Sequence, residues 1–278
     1  MSAEFTLESY KSVIGAFIDN GYAVIDSPGT SDAHKQIFLR HDVDYSLEFA
    51  AQMACANSDV GARSCFCILP RSKLYNLAEE DSQRHIEAIL GFGQTIGLHF
   101  ELPRHLRTKA DAEFGDVERS IHRDYALLKG LVGDGAQPIF SWHSPSTLSE
   151  QHAQWVTRPV DGLLNTYKLV ADGLFYVSDS NHRYSIQEWF QIAADAPLKL
   201  HALFHPFQWL ANADSMEEVL GVTLVHLIKN LEPHFLENRP YKSALPNGLQ
   251  PDALESLVKE LMEVGQRNPF DEQKFFRR

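Results

Sequence analysis

The stretch Ile37–Asn57, IFLRHDVDYSLEFAAQMACAN, decides the fold. Its first part, Ile37 to Asp44, is a short apolar run that ends in charged residues, which is typical of a buried strand with polar chemistry at its C-terminal end. Its second part, Ser46 to Asn57, predicts a helix, with Ser46 as the N-cap and Glu48 well placed in the first turn. A strand followed directly by a helix is the building unit of parallel α/β proteins.

The same alternation continues outward from this unit. On the N-terminal side we predict a helix at 7–20 and a short extended piece at 22–25. Further strands are predicted at 63–69, 95–101, 138–143, 163–167, 174–178 and 198–205, and further helices at 81–92, 111–131, 148–155, 185–194, 215–231 and 252–264. About seven parallel strands in one chain favour a barrel or an incomplete barrel. No glycine-rich phosphate loop follows an early strand, which argues against a dinucleotide-binding sheet.

Composition and charge exclude several classes of partner. The net charge of −12 argues against nucleic acid, because phosphate binding needs clustered lysine and arginine. No run approaches the ~20 apolar residues of a membrane span, and the start of the chain lacks a signal-type apolar stretch, so we expect a cytoplasmic protein. Cys55, Cys65 and Cys67 lack a second cysteine pair, and we interpret them as buried thiols and not as a zinc ribbon.

Polar side chains stand at five of the predicted strand ends, which is where the active sites of parallel barrels form. These residues are Asp42, Asp44, His99, Glu101, His143, Asp179 and His205. A barrel with a purely structural role would not need them.

Asp42 and Asp44 lie two residues apart, so in a strand their side chains point to the same side, while His41 points away. Two neighbouring carboxylates raise one another's pKa unless a cation lies between them. A divalent metal resolves the repulsion, with one aspartate as ligand and the other free as a base. The alternative is an acidic pair that caps the following helix.

Three histidines follow other strands. His99 alone would resemble a core histidine, but together with carboxylates it suits zinc or a similar metal. His143 suits a metal ligand and a substrate contact equally well. His205 suits a general acid at neutral pH, with a buried histidine bonded to a carbonyl group as the alternative. Asp179 is the natural partner to orient or charge one of these histidines.

Several motifs together resemble a known family. FLRHDVDYSLEFAAQMA, IGLHFE, FSWHSPS, YVSDS and LFHPFQW are similar, in that order, to the polysaccharide deacetylase superfamily (NodB homology, carbohydrate esterase family 4). The nearest likeness is to its intracellular RHDVD-type branch, which is met in surface-polysaccharide biosynthesis. The resemblance covers roughly Phe38 to Trp209.

The resemblance implies a distorted (β/α)7 TIM-like barrel that removes acetyl groups from sugars with a divalent metal, commonly zinc, although other divalent transition metals also fit. It implies that Asp42 is the general base, that Asp44 and His99 are metal ligands, that His205 is the general acid and that Asp179 tunes this acid.

The third metal ligand departs from the family's pattern, because Pro103 stands where a second histidine is usual. This ligand stays open among His143, Glu101 and His105, in that order of preference. The family's fourth-strand arginine also has no obvious counterpart, since His143 or Ser144 occupies its place.

We therefore expect a single domain over 1–278, with a barrel core at about 37–210, an extra N-terminal helix and a helical extension at 211–278. The expected activity is removal of an acetyl group from an N-acetylated sugar or sugar conjugate. Hydrolysis of another C–N amide bond, such as a formamide or ureide, and a non-catalytic sugar-binding barrel are the alternatives. The sequence leaves homo-oligomer formation open. Side chains expected to contact the substrate are Arg40, Glu101, Arg183, Tyr184 and Trp209.

Overall fold

A curled parallel sheet positions the candidate site, and the computed structural model describes residues 4–29, 32–109, 111–244 and 246–248 of the chain. The spatial order of the strands is β6-β5-β4-β3-β2-β8-β7, and β1 pairs with the N-terminal half of β2. Among the described strands no ladder joins β6 to β7, so the sheet is a half-barrel. The strands are β1 (Ala23–Ile25), β2 (Gln36–Val43), β3 (Cys65–Ile68), β4 (Thr95–Phe100), β5 (Ala136–Trp142), β6 (Leu164–Asn165), β7 (Phe175–Ser178) and β8 (Lys199–Phe204).

Helices connect these strands and surround the sheet, as expected for a distorted (β/α)7 barrel. Those before residue 216 are α1 (Leu7–Asp19), α2 (Leu47–Asp59), α3 (Glu80–Gly91), α4 (Arg104–Arg107), α5 (Phe114–Val132), α6 (Glu150–Ala153), α7 (Thr166–Ala171), α8 (Ile186–Asp195) and α9 (Pro206–Leu210). None of the helices in the described ranges combines the length and the apolar character needed to cross a bilayer.

The chain divides into two compact units, Met1–Met216 and Glu217–Arg278. The described part of the second unit contains α10 (Met216–Leu236) and α11 (Arg239–Ala244). The single domain that the sequence led us to expect stays a prediction. The helix predicted at 252–264 lies outside the described residues.

Strand β2 lies between β3 and β8 in the sheet, and all eight of its residues are buried. Ile37, Leu39 and Val43 pack into the large apolar core that the surrounding helices share. Phe38 faces the other way, into a small inner core with Cys65, Cys67, Ile139 and Ile25. Because successive strand residues alternate in direction, the polar residues that follow Phe38 at even positions face the inside of the barrel.

Most elements match the sequence-based predictions, with differences at short segments. The predicted helix after β2 is confirmed, and the Ser46 hydroxyl accepts a hydrogen bond from the Phe49 backbone N–H at 3.2 Å, as expected of an N-cap. The strand predicted at 163–167 is wrong beyond Asn165. The Asn165 side chain accepts the Tyr167 N–H at 3.0 Å, which caps α7 and ends the strand. The short helices α4 and α9 were not predicted.

Gly97 allows β3, β4 and β5 to pack closely beneath the site. A Cβ atom at this position would lie 3.0 Å from both the Cys65 Sγ and the Ile139 carbonyl oxygen, and 3.3 Å from the Cys67 Sγ. The thiol can shift by rotation, but the carbonyl oxygen belongs to the sheet backbone. The two cysteines are therefore buried thiols that pack against this glycine, in agreement with the sequence-based interpretation.

We predict that Gly97→Ala lowers the free energy of unfolding by about 1–3 kcal/mol, because the added methyl overpacks the interior of the sheet. Gly130→Ala is the matched control: it lies inside α5, its Cβ would meet nothing within 4 Å, and it should raise stability by about 0.5–1 kcal/mol through lower backbone entropy. Urea denaturation measures both changes. Equal stability of Gly97→Ala and the wild type would contradict this account.

Candidate metal centre

Three side chains from neighbouring strand ends converge at the C-terminal mouth of the barrel. Asp44 follows β2, His99 lies near the end of β4, and His143 follows β5. The Asp44 Oδ1 lies 3.2 Å from the His99 Nε2 and 3.1 Å from the His143 Nδ1, and the two ring nitrogens are 3.0 Å apart. Within the described part of the chain, these three form the one group of metal-binding side chains whose ligand atoms all lie within 4.8 Å of one another.

Backbone contacts hold these three residues in place. The Tyr75 hydroxyl donates to the Val43 carbonyl oxygen at 2.7 Å and accepts the Leu69 N–H at 3.0 Å, which ties the residue before Asp44 to the loop after β3. The His143 N–H donates to the Phe100 carbonyl oxygen at 2.8 Å. This bond continues the pairing of β4 and β5 up to the ligand positions.

The contacts of His99 show which of its ring nitrogens carries a proton. The Ser141 hydroxyl donates its one proton to the Asp42 Oδ1 at 3.0 Å. Its oxygen, 2.7 Å from the His99 Nδ1, must therefore accept the Nδ1–H. In the neutral imidazole, the Nε2 lone pair then faces the Asp44 carboxylate.

A divalent ion fits this arrangement. A lone pair and a carboxylate oxygen 3.2 Å apart repel each other unless a positive charge lies between them. Two imidazole nitrogens and one carboxylate oxygen are ligands that zinc prefers. Zinc bonds of about 2.1 Å in a tetrahedron place neighbouring ligand atoms about 3.4 Å apart, close to the observed separations.

Asp42 lies directly behind this triangle and pairs with Arg40 inside the barrel. The Arg40 Nε is 3.1 Å from the Asp42 Oδ1, and an NH2 group of Arg40 donates to the Oδ2 at 3.2 Å. Arg40 also donates to the Thr166 hydroxyl at 2.5 Å and lies over the Tyr167 ring, 5.2 Å from its centre. Although burial acts to lower the pKa of Arg40, the charge of Asp42 raises it overall, so the guanidinium stays charged.

A second polar group lies on the other side of β2, at the end of β8. The His205 Nδ1 is 2.6 Å from the Asp179 Oδ1, and the His205 backbone N–H donates to the Oδ2 at 2.8 Å. The Trp209 indole N–H donates to the same Oδ2 at 2.8 Å. Asp179 is completely buried, so its carboxylate is satisfied by these two residues.

The surroundings of Asp44, His143 and His205 shift the pKa of each group in the direction that keeps it charged. Burial acts to raise the pKa of Asp44, but the hydrogen bond with His143 and the nearby charge of His205 outweigh it and lower that pKa. For His143, burial lowers the pKa, but the hydrogen bond and the charge of Asp44 raise it overall. For His205, burial again lowers the pKa, but the charge of Asp179 dominates and raises it to about 9. His205 is therefore protonated at neutral pH.

The structure brings together most of the side chains that the sequence singled out as site residues. Of the three candidates for the third ligand, His143 stands with Asp44 and His99, whereas the exposed Glu101 and His105 are outside that group. His41 points away from the site, as predicted. The Tyr10 hydroxyl donates its proton to the Asn57 side-chain oxygen at 2.6 Å, so the His41 Nε2–H donates to the Tyr10 oxygen at 2.8 Å. Burial lowers the pKa of His41 to about 3.

The side chains expected to contact substrate differ in exposure. Arg40 and Trp209 are fully buried and bonded to the two aspartates, which favours a supporting role over a substrate contact. Tyr184 is half-buried against Trp189, and the exposed Arg183 lies over the Tyr184 ring at 5.7 Å. A substrate role for these two stays a prediction.

Sequence reasoning missed the two serines next to the histidines. Ser141 bridges Asp42 and His99, and the Ser144 Oγ lies 3.3 Å from the His143 Nε2. Ser141 and His143 lie two residues apart at the end of β5, so the period-two rule that paired Asp42 with Asp44 would have placed Ser141 on the site side as well.

Sequence comparisons give no match: neither protein-family models nor curated proteins match this chain. Similar solved structures include a peptidoglycan deacetylase from Bdellovibrio bacteriovorus, at 15% identity and a TM-score of 0.40 over 76% of this chain and 53% of that one. A CE4 family pseudoenzyme from Bacillus anthracis is similar at 12% identity and a TM-score of 0.42, over 70% of this chain and 61% of that one. A CE4 esterase from Streptococcus mutans is similar at 13% identity and a TM-score of 0.41, over 82% and 88%.

The second and third of these structures are described as CE4 proteins, the family that the sequence motifs resemble. The chain spans 53% and 61% of the length of the first two structures. Likenesses this distant do not assign chemistry, so the role of each site residue has to come from the geometry described above.

Proposed function

We propose that this protein is a metal-dependent hydrolase that removes the acetyl group from an N-acetylated sugar or sugar conjugate. The convergence of Asp44, His99 and His143 within 3.2 Å of one another carries the proposal. The protonated His205 at the neighbouring strand end adds an acid to this set of ligands. The motif resemblance supplies the acetylated sugar as the substrate, and it also suggests a cytoplasmic role in surface-polysaccharide biosynthesis.

Asp44, His99 and His143 would hold the ion, with zinc as the metal that this donor set suits best. When bound, such an ion supplies Lewis acidity, which polarises an amide carbonyl and makes water a better nucleophile. Placing the ion at the mouth of the barrel leaves it open to substrate on the side of the βα loops.

Asp42 is the proposed general base. Its carboxylate is paired with the Arg40 guanidinium inside the barrel and lies on the same strand face as the ligand Asp44. It accepts a proton from the attacking water as the new C–O bond forms.

His205 is the proposed general acid. Because its Nδ1 is bound to Asp179, the Nε2–H is the proton that is free to move to the leaving nitrogen as the C–N bond breaks. Water and the N-acetyl group are thereby converted to acetate and an amine. Asp179 keeps the ring oriented and charged, and Trp209 holds Asp179 in turn.

Substrate binding falls to the half-buried aromatic side chains at the mouth. Tyr45 packs edge-on against Phe207 at 4.7 Å, and Tyr184 flanks the loop after β7. Sugar rings can pack on the part of an aromatic face that stays exposed. Trp142 and Trp209 are buried in the core and have no face to offer.

We predict that the purified protein releases acetate from N-acetylated nucleotide-sugars and that a chelator abolishes this activity. Asp42→Asn should still bind the metal, although more weakly because the carboxylate that accepts the Ser141 hydroxyl is lost, and it should lose at least about 100-fold in turnover, the scale of general-base catalysis. Asp44→Asn should lose both metal and turnover, because it removes a ligand. His105→Asn is the control for substitution near the site, and both properties should be unchanged.

These measurements also separate the alternative functions. A bound stoichiometric metal with turnover of formamides or ureides, but not of acetamides, would favour the other C–N hydrolase. A protein that binds sugar, but neither metal nor acetyl substrates, would be a non-catalytic barrel. Equal metal loss in Asp42→Asn and Asp44→Asn would contradict the assignment of Asp44 as a ligand and Asp42 as the base.

We predict that the pKa of His205 is about 9 in the metal-free protein and that Asp179→Asn brings it toward or below the ordinary value of 6.5. Without the Asp179 carboxylate, burial has the largest influence on the pKa of His205, and burial favours the neutral ring. NMR titration of the imidazole measures this pKa directly. In the metal-loaded enzyme, activity should fall as the pH rises and the acid loses its proton, and in Asp179→Asn this fall should begin at a lower pH. A His205 pKa that is the same in Asp179→Asn as in the wild type would show that Asp179 does not raise it.

A further inference from the structure

Each ligand imidazole has one ring nitrogen that faces the metal centre and one that faces away. In His99 the Nε2 faces the centre and the Nδ1 faces away, whereas in His143 the Nδ1 faces the centre and the Nε2 faces away. Both of the nitrogens that face away meet a serine hydroxyl, in Ser141 and Ser144 respectively.

The hydrogen bond at His99 has a fixed direction. Asp42 forms an ion pair with the Arg40 guanidinium, and its carboxylate accepts the hydrogen bond that the Ser141 hydroxyl donates with its one proton. Ser141 can then only accept from His99, so the His99 Nδ1 keeps its proton and the Nε2 presents its lone pair to the centre. Ser141 is completely buried, which prevents water from replacing it.

The contact at His143 is weaker and more exposed. Ser144 is exposed and lies 3.3 Å from the His143 Nε2. Its backbone has a φ of 46°, a left-handed conformation that is rare for a residue with a side chain and that is held here between the ligand and Pro145. This conformation keeps the Ser144 hydroxyl beside the ring of the preceding residue.

We propose that Ser141 is a positioning residue that fixes the tautomer of His99, so that this imidazole presents a lone pair to the divalent ion, and that Ser144 orients the ring of His143. The proposal rests on the proposed function, because it assigns a role at the same site. Ser141 has a larger effect on metal affinity than Ser144, because its hydrogen bond to His99 is shorter, is buried and is anchored by the Arg40–Asp42 ion pair. An acceptor behind a ligand histidine keeps the ring oriented and makes the facing nitrogen a better donor to the metal.

The test measures zinc affinity by competition with a chromophoric chelator for the wild type and single variants of the full chain. Ser141→Ala should bind zinc about 10–100-fold more weakly, the usual cost of losing an outer partner of a ligand histidine. Ser144→Ala should lose less, and the exposed Ser146→Ala, in the same loop, should bind zinc as the wild type does. Ser141→Thr retains the hydroxyl and should bind more tightly than Ser141→Ala.

A second measurement reads the tautomer without zinc, substrate or any variant. Long-range ¹H–¹⁵N NMR of the metal-free wild type at mildly alkaline pH should show His99 with its proton on Nδ1, and a proton on Nε2 would overturn the proposal. Zinc affinity of folded Ser141→Ala equal to that of the wild type would overturn it as well. If the wild type bound no divalent ion, the proposed function would fail, while the NMR result would still decide the tautomer.

Discussion

The buried ion pair between Arg40 and Asp42 is the interaction on which the candidate site depends. Both side chains lie inside the barrel on the fully buried strand β2, where removing one partner would leave an uncompensated charge at a cost of about 3–5 kcal/mol. The pair persists because Thr166, Tyr167 and Ser141 complete its contacts. A negative charge is thereby fixed just behind the metal centre, and it sets the direction of the hydrogen bond that orients His99.

The parallel sheet explains how residues distant in sequence form one site. The ends of β2, β4 and β5 deliver the three ligands, while the ends of β7 and β8 deliver Asp179 and His205 on the other side of β2. The two groups have opposite electrostatic tasks: Asp44 stays ionised among imidazoles, whereas His205 stays protonated beside a carboxylate. Under the proposed function, the first group would hold the cation and the second would supply the acid that amide hydrolysis requires.

Much of this site could be predicted from the sequence, because strand alternation and strand ends are local properties. The shared direction of Asp42 and Asp44, the opposite direction of His41 and the gathering of polar residues at strand ends all follow from period-two geometry. The choice of His143 over Glu101 and His105 needed the structure, since it depends on where the loop after each strand turns.

The remaining differences arise from tertiary packing. Arg40 and Trp209 were expected to contact substrate, yet each points inward to an aspartate, and sequence position alone does not report which way a polar side chain is buried. The most direct measurement of the central claim is anomalous diffraction from zinc-loaded crystals. The account predicts one peak about 2.0–2.2 Å from the Asp44, His99 and His143 ligand atoms. No peak there, or Asp44 and His99 on opposite walls of the barrel, would contradict it.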